Sequence, residues 1–222
     1  MGVIERVRKE GRKTLTEYEA KMILSHRGIP VVRERLACNQ EQCRAAIHEI
    51  GFPLVMKGCA PEISHKSELG VVMLDIQSEG EAEAAFEKII KAMPAKAPAV
   101  LIQEMVKGKR ELVVGLTRDA QFGPTVMFGL GGIFTEMLLD VVFRLAPFDK
   151  QEALNMLGEI KGRKILDAVR GMDAVDRDLL AHILVSVGEI AVEYPDIMEI
   201  DINPFIVSGR IPIAVDALIV LS

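Results

Sequence analysis

Glu199, Asp201 and Asn203 occupy alternate positions in Glu199-Ile200-Asp201-Ile202-Asn203-Pro204, and a further carboxylate follows in Ala214-Val215-Asp216. Side chains on a strand point alternately to opposite faces. The pattern therefore predicts Met198, Ile200 and Ile202 on a buried face and the acidic residues on the other. A two-residue turn at Ser208-Gly209 would set Asp201 opposite Asp216, with Asn203 as the diagonal neighbour. Carboxylates that close repel unless a cation lies between them. A few hard oxygen ligands with room left over suit a magnesium ion that keeps waters and binds substrate phosphates. An ordinary hairpin with a solvated acidic face has the same pattern, and a three-residue turn would send Asp216 to the wrong side.

Other candidates are spread along the chain. Lys57 ends the apolar run Leu54-Val55-Met56-Lys57, before a loop rich in Gly, Pro, Ser and His. A lysine there can hold a phosphate as a point charge or simply end a strand in solvent. Gln103-Glu104-Met105-Val106 closes an apolar strand, with Glu111 shortly after. Such a segment can present backbone groups to a base and a carboxylate to a ribose; on its own it reads first as a plain hairpin. Gly129-Leu130-Gly131-Gly132 can let the backbone approach an anion. It lacks the Lys-Ser/Thr ending of a P-loop, and a structural turn explains it as readily. His65, in Ile63-Ser64-His65-Lys66-Ser67, is a competent nucleophile towards phosphorus when neutral, although a surface loop histidine is commonly inert.

The elements that must position these groups can be read from caps and periodicity. The first ten residues read as a loose or partner-docked arm. Thr16 with Glu19 opens a helix that ends at Gly28-Ile29-Pro30. A second helix starts near Asn39, buries Cys43, Ala46, Ile47 and Ile50, and stops at Gly51. Strands at 54–57 and 70–77 flank the polar loop. Ser78 with Glu81 starts a helix whose stripe is Ala82, Ala85, Phe86, Ile89, Ile90 and Met93. Strands 99–105 and 111–117 are joined by the basic turn Lys107-Gly108-Lys109-Arg110. Strands follow at 125–129 and 141–145. A helix capped by Asp149, a short helix before Gly171, and a long helix over 175–194 complete the series before the acidic hairpin. Short connections favour antiparallel pairing, hence an α+β fold rather than a doubly wound parallel sheet. A smaller lobe over 28–104 and a larger one from 1–27 plus 105–222 are expected.

Composition narrows the function. Half of the 222 residues are hydrophobic and the net charge is −5, which argues against a grip on nucleic-acid phosphates but not against a nucleotide. Cys38, Cys43 and Cys59 are odd in number and lack paired metal-ligand spacing, as expected of a reduced, cytoplasmic protein. No segment reads as a membrane span.

Taken in order, Lys57, the mobile loop, Gln103-Glu104 with Glu111, the glycine turn, Asn203 and Asp216 resemble an ATP-grasp nucleotide-binding domain. More narrowly, the chain resembles the beta subunits of ADP-forming acetyl-CoA synthetases, relatives of succinyl-CoA synthetase. The matching stretches are Leu15-Thr16-Glu17-Tyr18-Glu19-Ala20-Lys21, Ile63-Ser64-His65-Lys66-Ser67, Gly129-Leu130-Gly131-Gly132 with Glu136, Phe143-Arg144 and Glu199-Ile200-Asp201-Ile202-Asn203-Pro204. The resemblance implies an ATP-grasp fold of two α+β lobes with nucleotide bound between them. It implies Lys57 on the ATP phosphates, Glu104, Met105 and Val106 at adenine and Glu111 at the ribose. Asn203 and Asp216 become magnesium ligands with Asp201 beside them, His65 the phosphoryl acceptor, and Arg144 a phosphate contact. The family pattern has two glycines where this chain has Gly70 and Val71, which implies a stiffer loop. The implied reaction joins a carboxylic acid, CoA and ATP to give acyl-CoA, ADP and phosphate. The implied partner is an alpha subunit carrying the CoA and acyl chemistry, in an α2β2 assembly. An ATP-grasp carboxylate-amine ligase and a non-catalytic nucleotide-binding subunit are the alternatives.

Overall fold

The computed structural model describes residues 2–61, 70–93, 98–132, 140–169 and 171–222. The chain divides into two compact units, Val32–Met105 and the pair of segments Met1–Val31 and Val106–Ser222. The smaller unit thus begins at Val32 rather than Gly28.

In the smaller unit, strands β1 (Glu34–Ala37), β2 (Leu54–Cys59), β3 (Val72–Ile76) and β4 (Ala99–Glu104) form an antiparallel sheet in the order β1-β4-β2-β3. Helix α3 (Gln40–Ile50) is capped by the Asn39 side chain and buries the expected Cys43, Ala46, Ile47 and Ile50. Helix α4 (Glu79–Ala92) is capped by Ser78. The Glu81 carboxylate returns to the Gln77 amide at 2.9 Å rather than to the cap residue itself. The two helices supply one apolar stripe each, and these meet Leu54, Met56, Val100 and Ile102 of the sheet in a single core.

In the larger unit, β5 (Glu111–Asp119), β6 (Gly123–Leu130), β7 (Val141–Leu145), β8 (Ile197–Ser208) and β10 (Leu218–Leu221) run in the order β10-β8-β5-β6-β7, and β9 (Ile211–Ala214) pairs with β8. Helices α5 (Lys150–Glu159) and α6 (Arg177–Glu193), with a 3-10 turn over Arg163–Leu166, complete this part. Leu180, Ile183, Leu184, Val187, Ile190 and Ala191 of α6 are all fully buried. Burying each large aliphatic contributes about 1.5–3 kcal/mol, which anchors α6 to the sheet.

Two expectations about connections fail. Residues 1–10 are not a loose arm: α1 (Val3–Lys9) buries Ile4 and Val7 in the main core. Those two residues stand three apart, enough for one helical face but too short a period to read from sequence. Strands β4 and β5 do not form a hairpin, because β4 pairs with β1 and β2 and β5 with β6 and β8. Arg110 in the connecting turn is buried. It donates to the carbonyls of Ile165, Asp167, Asp173 and Gly209 at 2.7–3.4 Å. Arg110 thereby makes the basic turn a structural tie.

Candidate functional site

Strand β8 carries the acidic residues. Its turn to β9 is Gly209-Arg210, since Ser208 pairs with Ile211, and not Ser208-Gly209. The shift is by two residues, so the faces are preserved and only the partners change. Phe205 lies opposite Ala214 and Asp201 opposite Leu218. Counting inward from those two pairs brings Asn203 level with Asp216 and makes Asp201 the diagonal neighbour. Residues opposite each other in an antiparallel pair have Cβ atoms about 4.5–5.5 Å apart, close enough for two oxygens to share one ion.

Two bulges shape this strand. Glu199 pairs with Val220 but Ile197 pairs with Leu221, so Met198 is an extra residue and lies exposed instead of on the buried face. Against β5, Ile202 pairs with Val114 and Phe205 with Leu112. The three-residue step on β8 bulges Asn203-Pro204 and leaves both Ile202 and Phe205 in the core. Bulges re-aim side chains next to functional sites, and this one falls on a candidate ligand.

The electrostatics agree with a shared acidic face. Burial pushes the Asp201 carboxyl up to about 6, and the charges of Glu199 and Asp216 add to the effect. Asp216 Oδ1 accepts a hydrogen bond from the Ala217 amide at 2.9 Å. Among the described residues no cluster of three or more His, Cys, Asp or Glu forms a metal-holding group. Two carboxylates and an amide therefore do not make a closed cage. They fit an ion that takes most of its ligands from water and phosphate, and its charge would relieve the repulsion felt by Asp201.

The sheet register sorts the other residues. Asp201, Gly115, Met127 and Phe143 lie in one cross-strand row; Ile200, Leu116, Val126 and Arg144 lie in the next. Neighbouring rows face opposite ways, so Arg144 points to the helix-covered face with Ile200 and away from Asp201. There it pairs with Glu152 and Glu159 of α5, and both carboxylates draw its pKa upwards. The expected phosphate contact is thus placed as a tie between β7 and α5. Glu111 is exposed and alternates with Val113 and Gly115, which puts it on the Asp201 face. Its carbonyl accepts from the Gly131 amide at 2.8 Å. A Cβ at Gly131 would lie 2.9 Å from the Glu111 carbonyl carbon, and one at Gly132, where φ is +65°, would lie 2.7 Å from Glu111 Oε2. The glycines are needed for this close approach. Gly129 and Leu130 belong to β6.

In the smaller unit, Lys57 does not end its strand. β2 continues to Cys59, and Lys57 is 7% exposed, paired with Val72 on one side and Leu101 on the other. A lysine that merely terminated a strand would be solvated; a buried ammonium needs anionic or carbonyl company. Glu104 accepts from Arg33 Nε at 2.7 Å and from the Arg33 amide at 3.2 Å. The Glu104 amide donates to the Arg33 carbonyl and the Met105 amide to the Pro53 carbonyl, both at 3.0 Å. The N–H groups of Glu104 and Met105 are therefore committed to the backbone of the smaller unit. His65 and Glu136 lie outside the described residues.

Sequence reading assigned no individual role to several buried polar residues. Asp140 accepts from the amides of Lys161 and Gly162 at 2.7 and 2.6 Å. Glu17 and Lys21 form an ion pair of 2.7 Å with neither side chain exposed. The signal for that pair was present, because Glu17, Ala20, Lys21 and Leu24 stand at i, i+3, i+4 and i+7, the spacing of a buried face.

The profile of the ATP-grasp domain matches residues 6–221. The chain is 46% identical to the beta subunit of ADP-forming acetate-CoA ligase I from Pyrococcus furiosus, over 99% of this chain and 96% of that one. It is also similar to acetyl-coenzyme A synthetase 1 of Candidatus Korarchaeum cryptofilum. In a complex with coenzyme A and Ca-AMPCP the identity is 42% and the TM-score 0.93, covering 99% of this chain and 98% of that chain. A second structure of that protein, with coenzyme A and Mg-AMPPCP, has its phosphohistidine segment pointing towards the nucleotide-binding site; identity and coverage are the same and the TM-score is 0.87. The chain belongs to the ATP-grasp family. Within it, its group is that of the beta subunits of ADP-forming acetate-CoA ligases. Among the described residues, no helix is long and apolar enough to cross a membrane.

Proposed function

We propose that this protein is the nucleotide-binding, phosphoryl-transferring subunit of an ADP-forming acyl-CoA ligase. The reaction is a carboxylic acid, CoA and ATP to acyl-CoA, ADP and phosphate, in either direction, with acetate as the expected acid. The reading is supported by the register that flanks Asn203 and Asp216, Phe205 opposite Ala214 and Asp201 opposite Leu218, in a chain that aligns over 99% of its length with such a beta subunit.

Each residue then has a physical task. Glu104, Met105 and Val106 hold the base, and Glu111 accepts from the ribose hydroxyls. Lys57 sets a fixed positive charge against the phosphates. Asn203 and Asp216 would hold a magnesium ion, with Asp201 in reserve, and when bound that ion neutralises charge on the phosphate oxygens. Phosphoryl transfer depends mainly on such positioning and neutralisation. His65 attacks the γ-phosphorus through a ring nitrogen; the bond to the ADP oxygen breaks and its electrons leave with ADP. The phosphoramidate formed keeps the phosphoryl group from water until it is passed to the acid. The acyl and CoA chemistry is assigned to a separate alpha subunit, in an α2β2 assembly, and the setting is the cytoplasm.

The test is the reverse reaction. The chain, combined with its alpha partner, acyl-CoA, phosphate and Mg-ADP, is expected to make ATP. It should also form an acid-labile phosphohistidine that His65→Ala abolishes. Absence of ATP from a folded pair, across a panel of acyl-CoAs, would refute the assignment. Full activity in His65→Ala would favour an amine-ligating relative instead.

A further inference from the structure

Glu17 and Lys21 stand one turn apart on α2 (Glu17–His26), and both side chains are wholly shielded from solvent. Removing two ions from water costs several kcal/mol each, and apolar side chains of the same volume often stabilise as well or better. Stability alone is thus a poor reason for this pair. A second hydrogen bond supplies another reason: Lys21 Nζ also donates to the backbone carbonyl of Val215, at 3.4 Å. Val215 immediately precedes Asp216.

The backbone around that carbonyl is unusual. β9 ends at Ala214 and β10 starts at Leu218, so residues 215–217 lie in neither strand. The Val215 amide donates to the Pro204 carbonyl at 3.2 Å. In an antiparallel ladder the two residues of such a pair exchange both N–H···O bonds. Pro204 has no N–H to return, so the ladder cannot supply the second bond. The Lys21 ammonium donates to the carbonyl that would have received it.

We infer that Lys21 is a positioning residue for the divalent-cation site. Donating to Val215 in place of the N–H that Pro204 lacks, and itself anchored by Glu17, it holds the interrupted strand so that Asp216 faces Asn203. This rests on reading Asn203 and Asp216 as cation ligands. The ladder is broken where the ligand must sit, because the bulge at Asn203-Pro204 both aims Asn203 and removes the donor. A charge buried on a neighbouring helix restores the lost constraint.

The experiment uses the full chain and manganese as the probe, with free Mn2+ followed by electron paramagnetic resonance in the presence of ADP. The double variant E17Q/K21M removes both charges of the pair with little change of volume. Once folded, it should bind Mn2+ with ADP about tenfold or more weakly, the usual effect of losing a group that orients a ligand. Its affinity for ADP without metal should stay within about twofold, which general loosening of the fold would not permit. In an Asp216→Asn background the same pair of changes should have little further effect, because it acts through Asp216. If E17Q/K21M does not fold, E17Q/K21Q keeps a side-chain hydrogen bond with a shorter reach and is judged by the same result. Parental Mn2+ affinity in a folded variant, or failure of both variants to fold, would overturn the role. If the parent itself binds no Mn2+ with ADP, the reading of Asn203 and Asp216 falls first. If Asp216→Asn weakens binding and the Lys21 variants do not, only Lys21 is wrongly assigned.

Discussion

Asp201→Asn should make the metal-free protein more stable at neutral pH, although it removes a charged residue from the acidic face. The Asp201 carboxyl is held up at about 6, first by burial and then by Glu199 and Asp216. The unfolded carboxyl titrates near its ordinary value of 3.8. A carboxyl raised on folding favours the folded state while protonated. Its ionisation therefore costs nothing below about pH 4, an increasing amount between 4 and 6, and the full amount above 6. The full shift corresponds to about 3 kcal/mol; with allowance for the partly exposed carboxylate it is about 1–3 kcal/mol. In a chain of this size each kcal/mol moves Tm by about 2–4 °C. Thermal melts of parent and Asp201→Asn in chelator should coincide near pH 4 and separate by about 2–12 °C at pH 7.5, with the variant higher. Saturating Mn2+ and ADP should close or reverse the gap, because the ion stabilises the charged form. A constant difference across the pH range would refute the electrostatic account, as would a variant less stable at pH 7.5 than at pH 4 relative to the parent.

Asp216→Ala should weaken Mg-nucleotide use by at least tenfold with Tm nearly unchanged; a collapse of Tm instead would mark the residue as structural. Lys57→Met keeps the buried volume and removes the charge, so the KM for nucleotide should rise at least tenfold, and unchanged kinetics would take Lys57 out of the site. Burial works to raise the Glu19 pKa, but hydrogen bonds from Arg12, the Thr16 amide and Arg6 outweigh it and hold the carboxyl at about 2. A depressed carboxyl contributes stability above about pH 4.5 that is lost as pH falls towards 2. Glu19→Gln should therefore cost about 1–3 kcal/mol at pH 7 and little near pH 2, as measured by urea unfolding at the two values. Arg110→Met strips the donor from four carbonyls and should cost about 2–4 kcal/mol; a Tm equal to the parent's would show those contacts to be redundant.

Local signals carried far along this chain. Thr16, Asn39, Ser78 and Asp149 each cap the helix they were expected to cap, because a cap needs only a side chain and an amide three residues on. The apolar stripes of α3, α4 and α6 were legible for the same reason: helical periodicity fixes which residues share a face. The alternation of Glu199, Asp201 and Asn203 marked the face that carries the acids before any partner was known. What the sequence could not determine was set by atoms far apart along the chain. The register of β8 against β9 depends on a turn that can slide by two residues without changing faces, so the count from the paired residues sets Asp216 level with Asn203 rather than with Asp201. Met198 and Arg144 had plausible local roles, and a bulge and a sheet register turned each the other way. Lys21 makes the point over the longest distance. Its place on a buried stripe follows from helical period alone, but its carbonyl partner lies in Val215, because only the folded sheet brings a strand with a missing donor against a helix with one to offer.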